Sequence, residues 1–467
     1  MKSIITILIS LLPVISVLAQ NRSPLLTGTV NISITKGTFS CDLTLSDLPD
    51  VEDYFIRLNS GMNLLNIKSV ADDDSLLYYE KSLVDTLSTG ESAAYYFPGK
   101  NGKGKYLPSA LRFKYVGKYP VVKDTARDYM LVDWKGNIAF NGYSVRTDGM
   151  QSCWYPVLYD VKNDKAFYKV RYDLTITCED CTVLYLNGSP PVKLKSSNFK
   201  SQLPFELALF CGNYNFSGSK NTYFLNTDFS RDEMKRFSEV VDSFKNYYSE
   251  KLKIPYGGNT ISFINTTPVS KKQSWLFVSF PSFISVGWDN KFRVIIDGSK
   301  LQNMYRAFLA HELAHYYFGT YKTFNSPLGY ALLEGLAEYS SSLLTKNLID
   351  RQVYEQIVLK KIKTLQNFNA VPISEISSEK DYKNTGVYAY VYVPVVFLAV
   401  EKEIGENKMW QWLSEIVRSG NVLTGYNFLV STLKSVLQND KLLKRIEEKY
   451  FKSENSLKNI LDKINLE

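Results

Sequence analysis

His311-Glu312-Leu313-Ala314-His315, in the run AFLAHELAHYYFG at 307–319, decides how this chain is read. Residues four apart on an α-helix lie on one face, one turn above each other. Two imidazoles so placed can meet one Zn²⁺, which takes histidine nitrogen at about 2.0–2.1 Å. Glu312 is rotated by about 100° from His311 and can reach water on such an ion as a general base. Two features set the stretch apart from a chance match. The 467-residue chain has 2 histidines, and both stand here. The preceding Tyr305-Arg306-Ala307-Phe308-Leu309-Ala310 is apolar enough to bury the helix.

The third ligand is expected from a carboxylate, because no further histidine exists. Residues 316–333 separate His315 from Glu334, which opens Glu334-Gly335-Leu336-Ala337-Glu338 in a second helical run. The set His311, His315 and Glu334 leaves one position open for water and implies one zinc per chain. Glu338 lies four residues after Glu334, on the same face. It is expected to accept a hydrogen bond from a liganding imidazole and to orient it.

Outward from this centre, residues 25–203 carry short alternating runs: Gly28–Thr35, Ala110–Val116, Tyr129–Trp134, Ala166–Thr177 and Thr182–Leu186. Turn signals such as Asn187-Gly188-Ser189-Pro190-Pro191 separate them, which predicts a β-sandwich or saddle. Ser230-Arg231-Asp232-Glu233 then reads as a capping box before a helix with Phe237, Val241, Phe244, Tyr248 and Leu252 on one face. Strand-like runs follow at Thr260–Ile264, Trp275–Phe280 and Lys291–Ile296, then helices over about 301–318 and 328–344. The apolar run Val387–Val400 reads as a buried core helix, and 346–467 is mostly helical in pattern. The fold class is therefore α+β. The expected divisions are a leader at 1–19, a β domain at 20–203, a metal-binding domain at 204–345 and a helical part at 346–467.

Lys2 followed by the apolar run Ile4–Leu18 and a small residue at Ala19 has the form of a cleaved export signal, too short to span a membrane. An exported protein, periplasmic or secreted, with no transmembrane anchor after cleavage is expected. The net charge of +8 is scattered, with no focused basic block, so nucleic acid is not an expected partner. Of 5 cysteines, Cys178 and Cys181 bracket a tight turn and can pair. At least one of Cys41, Cys153 and Cys211 must stay free or pair between chains.

HELAHYYFG (311–319) and LLEGLAEY (332–339) resemble the motifs of the membrane-alanyl aminopeptidase family of gluzincins, which also includes leukotriene hydrolases. CWYPVLYD (153–160), LNGSPP (186–191) and LPFELALFCGNYN (203–215) are similar to further segments of that family. The resemblance implies an N-terminal β domain, a thermolysin-like catalytic domain and a helical continuation, in a form lacking the large C-terminal capping domain. It assigns the amine-binding acid of the family's edge-strand motif to Asp289, in Val286-Gly287-Trp288-Asp289-Asn290, and the oxyanion-binding tyrosine to Tyr390, with Tyr388 and Tyr392 as rivals. The implied activity is zinc-dependent peptide hydrolysis at the amino terminus. An endopeptidase with an open cleft and an inactive binding relative are the alternatives. Side-chain preference and oligomeric state are not legible.

Overall fold

Alternation of apolar and polar residues organises the N-terminal half into sheets. The computed structural model describes residues 23–70, 74–82, 92–98, 107–123, 138–147, 152–162, 165–219, 222–257, 261–266, 275–287, 290–420 and 423–464. The leader, the run Tyr129–Trp134 and Asp289 fall outside them. Lys169–Cys178 and Leu111–Lys118 each bury every second residue. Such strands hide one face and wet the other. Among the described residues a seven-stranded sheet runs from Ser196–Glu206 through Lys169–Cys178, Leu25–Ser33, Thr38–Ser46, Leu111–Lys118 and Met62–Ser69 to Ser75–Leu76. A five-stranded sheet (centred on Tyr54–Asn59) and a four-stranded sheet pack with it. Trp154 is fully buried among them, and its Nε1 donates to Leu207 O at 2.6 Å.

Cys178 and Cys181 form a disulfide across the turn between two strands, with Cα atoms 5.5 Å apart. Cys41, Cys153 and Cys211 are buried thiols. Inside the closed turn, Asp180 accepts hydrogen bonds from Ile34 N at 3.0 Å, Thr35 N at 2.9 Å, Ser33 Oγ at 2.8 Å and Thr35 Oγ1 at 2.6 Å. The turn therefore clamps the end of the first strand.

The chain leaves the four-stranded sheet after Leu209–Gly212 and enters a new five-stranded sheet at Phe216–Ser219. Its order is Phe216–Ser219, Thr222–Leu225, Ile261–Thr266, Ser282–Val286 and Trp275–Ser279, the last an antiparallel edge strand. Helix α1 (Arg231–Leu252) starts at the Ser230–Glu233 capping box and buries Phe237, Val241, Phe244, Tyr248 and Leu252. Lys291–Ile296 is not a strand. Asn290 caps it, Oδ1 accepting from Phe292 N at 3.1 Å, and a 3₁₀ turn spans Lys291–Ile295. Its buried residues are Phe292 and Ile295, three apart, which suits that tighter period.

Helix α2 (Gln302–Ala314) ends four residues sooner than its apolar pattern suggests. After it, Tyr316 N and Tyr317 N bond back to Leu313 O and Ala314 O, which tightens the last turn. Helix α3 (Gly329–Leu344) and α4 (Arg351–Leu365) follow, then the helices Val393–Ile404, Glu406–Arg418 and Tyr426–Leu437. No described helix is long and apolar enough to cross a membrane.

Contacts on both sides of the junction fasten the halves together. Tyr185 and Phe210 pack with Ile264, Ile284 and Val286. Asn187, fully buried, donates through Nδ2 to Ser279 O at 2.8 Å and Phe280 O at 3.0 Å. The end of the edge strand is thus held by the β-rich half.

The Asp180 clamp makes a testable statement. Burial opposes its charge, but the hydrogen bonds from Thr35, Ile34 and Ser33 outweigh this and hold its pKa at about 2. A carboxyl lowered on folding adds stability above its unfolded pKa, and that stability fades as pH falls through the folded value. Asp180→Ala is expected to lower stability at neutral pH by about 1–3 kcal/mol, and to lose less further stability than wild type on acidification from about pH 4 to pH 2. Urea midpoints at each pH check both.

Candidate functional site

Helices α2 and α3 bring the three expected ligands together. His311 Nε2 lies 3.1 Å from His315 Nε2 and 3.4 Å from Glu334 Oε2, and His315 Nε2 lies 3.3 Å from Glu334 Oε2. Ligands held at 2.0–2.1 Å around a tetrahedral ion stand about 3.3 Å apart, so the triangle matches three corners of such a site. Glu334 Oε2 is buried and has no hydrogen-bond partner, although both Nε2 atoms are close. An orphaned carboxylate oxygen facing two imidazole nitrogens fits a cation between them.

The outer contacts bear on both rings. His315 Nδ1 faces Phe318 O at 3.1 Å, and His311 Nδ1 lies 2.8 Å from Glu338 Oε2, an ion-pair distance without hydrogen-bond alignment. Each leaves Nε2 for the shared point. Burial would push the pKa of His311 down, but Glu334 and Glu338 reverse this and raise it to about 10. Burial would raise Glu334 too, yet the two imidazoles hold it well below the usual carboxylate range. Burial pushes Glu312 upward, partly offset by both histidines.

Tyr390 enters from a π-helical turn, Tyr388–Tyr392. Its ring centroid is 5.9 Å from that of His311, and its hydroxyl lies 3.4 Å from Tyr330 Oη. Burial and the Glu334 charge hold its phenol far above the ordinary range, so it stays a donor. The rivals point elsewhere: Tyr388 Oη donates to Val371 O, and Tyr392 Oη pairs with Ser456 Oγ. The turn comes this close to α3 because residue 335 is glycine. A Cβ there would stand 2.3 Å from Val393 Cγ1.

These groups open on a cleft of about 1020 Å³. Its walls include Leu276, Phe277 and Val278 of the edge strand, Tyr330 and Tyr390, and Tyr168, Lys169 and Glu206 from the β-rich half. Lys169 donates to Gly319 O, just past the histidines. Burial pulls its pKa down to about 8, against the attraction of Glu206. The cleft-edging strand is Trp275–Ser279, whereas Asp289 follows the inner strand Ser282–Val286 and lies outside the described residues.

The same architecture recurs in solved structures. Native yeast LTA4 hydrolase is 12% identical, with a TM-score of 0.64 over 91% of this chain and 67% of that one. An M1 zinc metallopeptidase from Deinococcus radiodurans is 13% identical, with a TM-score of 0.58 over 91% and 92%. A mutant of the Deinococcus enzyme bound to a Tyr-Ser-Ala substrate matches with the same identity, TM-score and coverage. No family model and no curated protein matches the sequence. At these identities the likeness establishes the fold: a β-rich N-terminal part, a mixed sheet with helices and a helical C-terminal region.

Sequence reading missed Lys361, Tyr330, Lys169 and Glu206. Lys361 had a signal, since it interrupts the buried stripe Val358, Lys361, Leu365 of α4. Tyr330 stands one turn before Glu334, on its face. Lys169 and Glu206 gave none, because only the tertiary fold brings them to the cleft.

The triangle predicts the behaviour of one variant. Glu334→Ala is expected to reduce tightly bound zinc from about one per chain to a small fraction, with the fold retained, as read by elemental analysis and circular dichroism. Full occupancy in that variant would remove Glu334 from the ligand set.

Proposed function

We propose that this chain is a zinc-dependent peptidase, exported by its leader segment, that releases residues from the amino terminus of peptides. The observation that carries the reading is the Nε2–Nε2–Oε2 triangle with Glu312 and Tyr390 beside it in one cleft. When bound, zinc supplies a Lewis acid that polarises a carbonyl and acidifies water. His311, His315 and Glu334 would hold it. Glu312 takes a proton from the attacking water and passes it to the leaving amine. The Tyr390 hydroxyl donates to the oxyanion of the tetrahedral intermediate.

A peptide substrate suits the cleft wall. The strand Trp275–Ser279 pairs on one side only among the described residues, so its other side offers backbone groups to an extended chain. Leu276, Phe277 and Val278 add apolar contact. The related Deinococcus structure holds a tripeptide substrate. For the substrate ammonium we assign Asp289, from the family resemblance, and Glu206 is the described carboxylate on the opposite wall. A second reading, an endopeptidase, is favoured by the edge strand, whose cleft residues are apolar and include no acid.

Glu312→Gln is expected to keep its zinc and lose roughly 10²-fold or more in kcat. Tyr390→Phe should lose about 2.7–4 kcal/mol of transition-state stabilisation with KM little changed. Steady-state kinetics on a short peptide read both, and a larger loss in Tyr330→Phe would move the oxyanion role to Tyr330. The amino-terminal specificity has its own test. Free peptides should be cut faster than their N-acetylated forms, with the gap narrowed in Asp289→Asn or Glu206→Gln. Equal rates with internal cuts, read by mass spectrometry, would install the endopeptidase.

A further inference from the structure

We propose that Lys361 is a positioning residue that couples the metal ligand His311 to the oxyanion tyrosine, through Glu338 on one side and the Tyr390 carbonyl on the other. The inference rests on the reading of Tyr390 given above.

Lys361 sits in the buried stripe of α4, and its side chain is 10% exposed. An ammonium group so placed is costly unless every donor finds an acceptor. Here Nζ lies 2.7 Å from Glu338 Oε1 and 2.6 Å from Tyr390 O. Glu338 uses its two oxygens separately: Oε1 faces Lys361, and Oε2 faces His311 Nδ1 at 2.8 Å. The lysine therefore sets which way the carboxylate presents itself to the imidazole.

The contact with Tyr390 reaches the backbone. Lys361 Nζ donates to the Tyr390 carbonyl across 29 residues of sequence, and so ties α4 to the segment that carries the tyrosine. Because Tyr390 stands in the π-turn Tyr388–Tyr392, fixing its carbonyl fixes the turn that aims its hydroxyl into the cleft. One cation thus holds both the imidazole-orienting acid and the oxyanion donor.

The experiment uses the full mature chain loaded with zinc. Zinc affinity is read by competition with a chelator, and kcat and KM on a peptide substrate. Lys361→Met is expected to weaken zinc affinity about tenfold, the low end for outer-shell partners, and to lower kcat about tenfold with KM within twofold. In a Tyr390→Phe background the same change should cost no more than about twofold in kcat, since its target is gone. A lower melting temperature with zinc affinity and kcat both within twofold of wild type would reduce Lys361 to a structural ion pair and overturn the proposal. Losses that multiply fully with Tyr390→Phe would overturn the link to the tyrosine. Should Lys361→Met not fold, Lys361→Arg keeps the charge on Glu338 but seats a larger planar head against Tyr390 O. It should retain zinc affinity and lose kcat, and unchanged kcat overturns the proposal. A wild-type chain that cuts no peptide would refute the peptidase reading, while the zinc measurements still decide the tie to His311.

Discussion

Charge balance in a small, partly dry space is the constraint on which this site depends. Glu312, Glu334 and Glu338 lie around His311, and Lys361 pairs with Glu338. Three carboxylates against one lysine leave two negative charges to be met, and uncompensated buried charge is expensive. A divalent cation at the Nε2–Nε2–Oε2 triangle would meet them. Against the effect of its burial, two of these carboxylates, Glu334 and Glu338, raise the pKa of His311.

The surrounding fold can be understood as what holds those charges at fixed separations. Helix α2 and its C-cap residue His315 provide the two imidazoles at four-residue spacing, and the tightened end leaves His315 Nδ1 on Phe318 O. Helix α3 provides Glu334 and Glu338 one turn apart. Gly335, between them, lets the π-turn of Tyr390 come against α3 where any side chain would collide with Val393. The β-rich half contributes no expected ligand, yet it anchors the cleft's edge strand through Asn187 and closes the other wall with Tyr168, Lys169 and Glu206. The candidate ligands and the far wall of the cleft thus come from different parts of the chain.

That division explains what could be read from sequence. His311, His315, Glu334 and Glu338 were legible because helical periodicity is local and fixes which side chains share a face. The Ser230–Glu233 cap and the strands within Gly28–Thr35, Ala110–Val116, Ala166–Thr177 and Thr182–Leu186 were legible because capping and period-two alternation are also local. Tyr390 was reached only through the family resemblance, since nothing local separates it from Tyr388 and Tyr392. What singles it out is its place on the cleft wall beside His311, whereas Tyr388 turns to Val371 O and Tyr392 to Ser456. Lys291–Ile296 misled because an apolar run with β-branched residues reads as a strand, while a single side-chain cap from Asn290 winds it the other way.

Lys361 shows how a rule-breaking residue carries information. A lysine between Val358 and Leu365 contradicts the amphipathic pattern of its helix. Its buried ammonium needs acceptors, and the fold supplies Glu338 Oε1 and the carbonyl of Tyr390. Sequence alone cannot pair a lysine with acceptors 23 and 29 residues away, because nothing in any of the segments states that they meet. Once the fold joins them, the cost of burying the ammonium is offset, and the acid that faces His311 is drawn into the same contact.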